Sequence, residues 1–220
     1  MVTAISVTGC GAGRNAAARA MRVVASARRA AGDVSEFIAR AIQGPMPTRH
    51  ARTPALPTLW LMTDPRMGEA MWPAIERLPR GAGVIFRHYG VAGRRTLYER
   101  VRRIARRRGL VLVLAGTPVQ ARGWRADGVH GGAAGAARIR TMGAHDAAEL
   151  VRAWRRGAHC VLLSPVFATR SHAGAAGLGR VRFGLLARQS RVPVVALGGM
   201  DPARARGLPA YGWAGIDAFL

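Results

Sequence analysis

From Thr58 onward the chain alternates short, uniformly apolar runs with amphipathic stretches, and this alternation constrains the fold more than any other feature. The apolar runs read as strands at Leu59–Met62, Gly83–Phe86, Leu110–Leu114, Gly128–His130, Ile139–Met142, Cys160–Leu163, Val192–Leu197 and Gly215–Asp217. Helices read at Met67–Leu78, Thr96–Arg107, Asp146–Arg156, Val181–Gln189 and Pro202–Leu208, with shorter turns elsewhere. A strand that is apolar at every position has both faces covered, which belongs to a parallel sheet flanked by helices. Eight such steps predict an α/β fold of the (β/α)8 TIM-barrel type, with the residues after each strand converging at one mouth. An open doubly wound sheet is the alternative, because the barrel typically needs about 200 residues or more and the pattern spans only the part after Thr58. The sequence stops just after the eighth strand, so the expected barrel is compact and lacks its last helix.

Residues 1–52 differ in character. The stretch ISVTGCGAG (5–13) followed by an Ala- and Arg-rich segment is a weak match to a dinucleotide-binding turn, because no second strand with an acidic end follows. An Arg-rich, acid-poor start also suits a transit peptide or a misassigned start, although Asp33 and Glu36 spoil the former. The reading adopted is a helical or disordered extension ending in the proline-rich linker Gly44–Pro57, with residues 53–220 forming the barrel.

The formal net charge of +23 raises a nucleic-acid-binding alternative. All 34 basic residues, however, are arginine, which looks more like a compositional bias than a selected binding stripe. The densest cluster, from Arg100 to Arg108, lies opposite Val101, Ile104 and Ala105 on one amphipathic helix, so a solvated helix face is favoured and nucleic acid is not the expected partner. No apolar run approaches the roughly 18 residues of a membrane span. The two cysteines, Cys10 and Cys160, suggest neither a metal nor a disulfide framework, and a cytoplasmic location fits. Cys160 reads as a small core residue.

The stretch GAHCVLLSPVFATRSHAGAAGLG (157–179) carries the expected site: a buried strand breaks at Ser164–Pro165 into a polar, glycine-rich loop at the end where barrels keep their chemistry. Across the other strand ends stand Thr63–Asp64, Arg87–His88–Tyr89, Ala115–Gly116, His130–Gly131, Gly143–Ala144–His145, Gly198–Gly199 and Asp217. Gly198–Gly199 could offer backbone N–H groups to a phosphate near the start of the following helix. Arg87 reads either as an anion ligand or as an ion-pair partner, and His145 either as an acid/base group or as a residue at a helix start capped by Asp146. His88 and His159 read as structural or exposed.

Taken in order, LWLMTD (59–64), ADGVH (126–130), MGAHDAAEL (142–150), GAHCVLLSPVFATRSH (157–172), GLG (177–179) and PVVALGGM (193–200) resemble the thiamine phosphate synthase family and its thiazole tautomerase relatives. The resemblance covers about residues 58–220 and implies a (β/α)8 barrel. It implies a transferase that joins an aminopyrimidine diphosphate to a thiazole phosphate and releases pyrophosphate with help from Mg²⁺ and cationic side chains, so small phosphorylated thiazole and pyrimidine ligands are the expected partners. By the same resemblance Arg87 is a pyrophosphate partner, His130, Thr169, Ser171, His172, Gly198 and Gly199 are substrate- or phosphate-binding, and His145 matches the acid/base histidine of the tautomerase branch, an isomerase that needs no metal.

The departures from that pattern run in one direction. Ala115–Gly116 stands where the family has an Asn-Asp pair, and Ala133 and Gly135 match its glutamine and second metal-binding aspartate. Ile85 and Tyr89 replace the family's flanking Gln and Lys, His172 falls on a lysine, and Asp217 falls on a position that is often serine. Mg²⁺ is thus implied by the family, whereas its carboxylate ligands are missing here and no metal residue is assigned. A metal-free tautomerase or a non-catalytic binder of thiazole or thiamine phosphate stands beside the synthase reading.

Overall fold

The computed structural model describes residues 55–132, 135–169 and 176–220. The expected N-terminal extension, most of the proline-rich linker, Cys10, Ser171, His172 and Gly174 lie outside them. Eight parallel strands pair in sequence order and close into a barrel. They are β1 (Leu59–Met62), β2 (Gly83–Phe86), β3 (Val111–Ala115), β4 (Gly128–His130), β5 (Ile139–Ala144), β6 (Cys160–Leu163), β7 (Val194–Ala196) and β8 (Gly212–Gly215). The helices between them are α1 (Met71–Glu76), α2 (Arg94–Arg108), α3 (Pro118–Gly123), α4 (Ala147–Arg155), α5 (Gly179–Gln189) and α6 (Pro202–Ala205).

The uniformly apolar runs become strands buried at every position: β2 (GVIF) and β6 (CVLL) have no exposed residue. Trp60, Tyr98, Phe86 and Phe183 are the largest fully buried side chains. Helix α2 buries Tyr98, Val101, Ile104 and Ala105, ends at Gly109 in the left-handed region, and keeps its basic last turn (Arg106 to Arg108) outside the core. Cys160 has no exposure, and burial pushes its thiol up to about 12, so it is a core residue. No helix among the described residues is long and apolar enough to cross a membrane.

The eighth strand lies earlier than the sequence suggests, at Gly212–Gly215 rather than Gly215–Asp217. Its two glycines look like turn signals, yet Gly212 is needed for closure: a Cβ there would run into the Thr58 carbonyl, which accepts from Trp213 N at 2.8 Å. Leu59 then pairs with Trp213, and Leu61 with Gly215. Asp217 instead opens a closing 3-10 turn, Asp217–Phe219.

Three helices also differ from the sequence reading. Met67–Leu78 splits into a 3-10 turn (Pro65–Ala70) and α1, because Gly68 at φ 49° breaks the helical path. The helix expected at Pro202–Leu208 is one turn long, since Arg206 is extended at ψ 130° and Gly207 takes φ 68°. Helix α3 is additional to the five helices expected from the sequence; it starts from a reciprocal capping box between Thr117 and Gln120, a pattern present in the sequence.

Candidate functional site

The residues after β1 and β2 are tied together at the mouth. Thr63 Oγ1 accepts from Arg87 N at 3.1 Å and is bonded to His88 Nδ1 at 3.0 Å. Asp64 caps the following 3-10 turn, its Oδ1 accepting from Arg66 N at 3.0 Å and Arg66 Nε at 2.8 Å. Its Oδ2 accepts from Arg87 Nη2 at 3.0 Å, while Arg87 Nη1 reaches Met62 Sδ at 3.4 Å. Arg87 is therefore both an ion-pair partner and a wall of the mouth. Burial raises the Asp64 carboxyl, but hydrogen bonds from the Arg66 side chain and backbone, with the charges of Arg66 and Arg87, outweigh it and hold the group below the usual carboxylate range.

On the opposite side, the loop after β6 continues the sheet against the end of β7. Val166 N donates to Leu197 O at 2.9 Å and Phe167 N to Gly198 O at 3.0 Å, after a cis Ser164–Pro165 bond. The approach leaves no room for side chains: a Cβ on Gly198 would lie 2.7 Å from Pro165 Cα, and one on Gly199 2.5 Å from Ala168 O. The two glycines take φ 93° and 58°, where side chains are disfavoured.

These two sides enclose a pocket. Arg87, Ser164, Thr169, Gly198, Gly199 and Asp217 are its polar wall, and Met62, Pro165, Leu197, Met200, Ile216 and Ala218 are its apolar one. Of the residues singled out from the sequence, Arg87, Thr169, Gly198 and Gly199 are brought together here; Ser171 and His172 lie outside the described residues.

His130 and His145 are not among the pocket's lining residues. His130 Nδ1 is bonded to Thr141 Oγ1 at 2.8 Å, and burial, with the charge of Arg87 adding, pushes its pKa down to about 4. His145 is exposed, its Nδ1 and its backbone N both meeting Glu149 Oε2 at 2.8 Å. Asp146 is the cap of α4, accepting from Glu149 N at 2.8 Å. His88 is buried and stacked on Phe86, and burial lowers its pKa. His159 Nδ1 accepts from Arg140 N at 3.0 Å, so both are structural.

The ends of β3 and β4 offer no ligating side chain in Ala115, Gly116, Gly131 and Gly132. A Cβ at 116 would lie 2.6 Å from Gln120 Oε1, and one at 132 would lie 2.6 Å from Gly116 O. The Ala115 carbonyl accepts from Arg94 Nη2 at 2.6 Å, and that guanidinium is packed over Phe86, Tyr89 and Trp124 at 5.2–5.7 Å. Among the described residues no group of three or more His, Cys, Asp or Glu is placed to hold a metal ion.

Asp64, which the sequence marks only as a strand-end residue, and Arg94, which no motif marks, carry much of this arrangement. A carboxylate directly after a strand was the available signal for the first, and an arginine at a helix start between aromatic runs for the second.

The family profile described as thiamine monophosphate synthase (TMP-TENI) matches residues 76–218. The chain belongs to that family. The match takes in the Arg87, Thr169, Gly198–Gly199 and Asp217 walls of the pocket, and begins after Asp64. Among solved structures, a thiamine phosphate pyrophosphorylase from Pyrococcus furiosus is similar over 73% of this chain and 86% of its own, at 21% identity and a TM-score of 0.60. FabK from Thermotoga maritima is similar over 74% of this chain and 58% of its own, at 15% identity and a TM-score of 0.55. Both likenesses are to the barrel fold. No curated protein sequence matches the chain.

Proposed function

We propose that this member of the thiamine monophosphate synthase family acts in thiamine biosynthesis or salvage by binding a thiazole-bearing ligand without a metal, and that it does not catalyse the Mg²⁺-dependent synthase reaction. The observation that carries this reading is the asymmetry of the mouth. The pocket between the ends of β1, β2, β6, β7 and β8 has a cation, hydroxyls and an apolar wall suited to a small heteroaromatic ring. Facing it, the ends of β3 and β4 carry Ala115, Gly116, Gly131 and Gly132, a Cβ at 132 would meet the Gly116 carbonyl, and an arginine donates to the Ala115 carbonyl.

Mg²⁺ binds through oxygen ligands in near-octahedral geometry. The described residues do not fit it: Asp64, the carboxylate after β1, already accepts from two guanidinium groups, and Ala115, Gly116, Gly131 and Gly132 supply no side-chain oxygen. Tautomerase chemistry would need His145 at the bound ring, and its place beside Glu149, outside the pocket lining, favours the binding role.

The test is direct. The protein, incubated with aminopyrimidine diphosphate and thiazole phosphate in Mg²⁺, is expected to form no thiamine phosphate above background. Calorimetry in EDTA is expected to show binding of a thiazole compound equal to that in Mg²⁺. Product formation at an ordinary enzymatic rate of about 1 s⁻¹ or more overturns the proposal.

A further inference from the structure

Among the described residues three serine or threonine side chains are buried, those of Thr63, Thr141 and Ser164. Two of them are engaged within the protein. Thr63 Oγ1 accepts from Arg87 N and is bonded to His88 Nδ1, and Thr141 Oγ1 is bonded to His130 Nδ1. Ser164 differs. It is 6% exposed, and its hydroxyl has no hydrogen-bond partner among the described residues. Nor is its oxygen sealed away: the described side-chain atoms that lack both a partner and solvent belong to Trp72, Arg94, Tyr98 and Arg102.

The strand that carries Ser164 decides where the hydroxyl points. Val161 and Leu163 of β6 pack with Leu150 and Ala153 of α4 and Phe183 of α5, on the helix side of the sheet. Cys160 and Leu162 belong to the other cluster, with Val195 of β7 and Ala214 of β8. Ser164 continues the strand, its N donating to Ala144 O at 2.9 Å while Leu197 N donates to Leu163 O at 3.1 Å. Side chains alternate between the faces of a strand, so Ser164 shares the inward face of Leu162 and opens on the pocket it lines.

A serine hydroxyl can donate one hydrogen bond and accept others. Here the O–H finds no acceptor in the described protein, beside the apolar wall of Met62, Leu197 and Ile216. Removing the water that satisfies such a group is costly unless the ligand supplies the partner. We propose that Ser164 reads the bound ring, its O–H donating to an unprotonated ring nitrogen of a flat heteroaromatic ligand laid against that wall. This rests on the thiazole-binding reading above and specifies what the pocket recognises in the ring. The thiazole nitrogen accepts a hydrogen bond in the ring plane, whereas the same ring with C–H in its place would leave the buried hydroxyl unpaired.

The experiment compares the thiazole alcohol and its phosphate with their thiophene counterparts, in which C–H replaces the ring nitrogen, on the full chain and on Ser164→Ala, by calorimetry. The wild type is expected to bind the thiazole about tenfold or more tighter than the thiophene, and the variant to bind the two within about twofold. Ser164→Cys, a weaker donor of similar shape, is expected to fall between them. Because no described protein group depends on the hydroxyl, the melting temperature of Ser164→Ala is expected not to fall below that of the wild type.

A wild type that does not distinguish the two rings overturns the proposal, as does a preference that survives Ser164→Ala. A fall of several degrees in the melting temperature of that variant also overturns it, by showing the hydroxyl to be a structural group. Should neither ring compound bind, the thiazole reading fails, and pyridine against benzene, followed by ligand-observed NMR, decides the role of Ser164 separately. Binding of pyridine in preference to benzene that is lost in Ser164→Ala supports it; any other pattern overturns it.

Discussion

Asp64 is the residue on which the near wall of the pocket depends. Its side chain is only 9% exposed and receives two arginines, Arg66 and Arg87, that are 48% and 30% exposed. Hydrogen bonds to a charged group contribute about 1.5–3 kcal/mol, and the partial exposure of both donors argues for the low end. Asp64→Asn is expected to cost about 1–2 kcal/mol at pH 7 and to release Arg87 from its place in the pocket wall. Because the folded carboxyl titrates below its ordinary value of 3.8, its contribution is full above that pH and fades as pH falls through the depressed folded value. Denaturant titrations should therefore show the wild type and the variant separated at neutral pH and converging at a pH well below the ordinary carboxylate value. A constant separation down to that pH would mean that the carboxylate's charge is not what matters.

The loops after β6 and β7 form an element-scale device, two chain segments held at backbone contact by glycine. Gly198 has φ 93°, and an added Cβ would sit 2.7 Å from Pro165 Cα and 3.2 Å from Val166 N. Backbone cannot yield as a flexible side chain can, so Gly198→Ala is expected to destabilise by about 2 kcal/mol or more, combining left-handed strain with overpacking. Thermal melting gives that cost, and loss of thiazole binding by folded protein well below the midpoint shows the loop displaced; unchanged melting and binding would refute the close-contact account. Elements of this kind set the limit of what the sequence discloses. Uniform runs such as GVIF and CVLL mark buried parallel strands without ambiguity, whereas GWAG at β8 reads as a turn until the Thr58 carbonyl is seen against Gly212. The pocket is legible in the same measure. Gly198, Gly199 and Thr169 stand at strand ends, as does Asp64, whose cap and Arg66 pair are local, but whose hold on Arg87, 23 positions away in sequence, no local pattern reveals. His130 and His145 sit at strand ends like the others, where their ring nitrogens meet Thr141 and Glu149 and the charge of Arg87 reaches His130, because position after a strand fixes a residue's level at the mouth and not its neighbours.

For the molecule as a whole, the question is how a chain with 34 basic and 11 acidic residues stays folded. Many arginines are used internally: Arg100 packs on Trp72 at 3.7 Å, Arg191 on Trp154 at 4.4 Å and Arg95 on Trp124 at 5.0 Å, while Arg108 donates to Leu78 O at 3.1 Å. Such contacts depend on planar guanidinium packing and weaken little with salt. The ion pairs on the helices, Arg95–Glu99 and Arg152–Glu149 among them, are partly exposed, and each contributes about 0.5 kcal/mol or less. Against these stands the self-repulsion of a net charge of +23 over the chain, felt out to the Debye length of the solution. Salt shortens that length from about 30 Å at 0.01 M to about 8 Å at 0.15 M, so screening removes more repulsion than attraction. The melting temperature is therefore expected to rise between low and physiological ionic strength, by a few degrees for each ~1 kcal/mol relieved. Calorimetric scans in increasing NaCl check this, with sulfate compared to separate screening from anion binding. A steady fall with NaCl would show that the exposed pairs, and not the uncompensated arginines, dominate the electrostatics of this barrel.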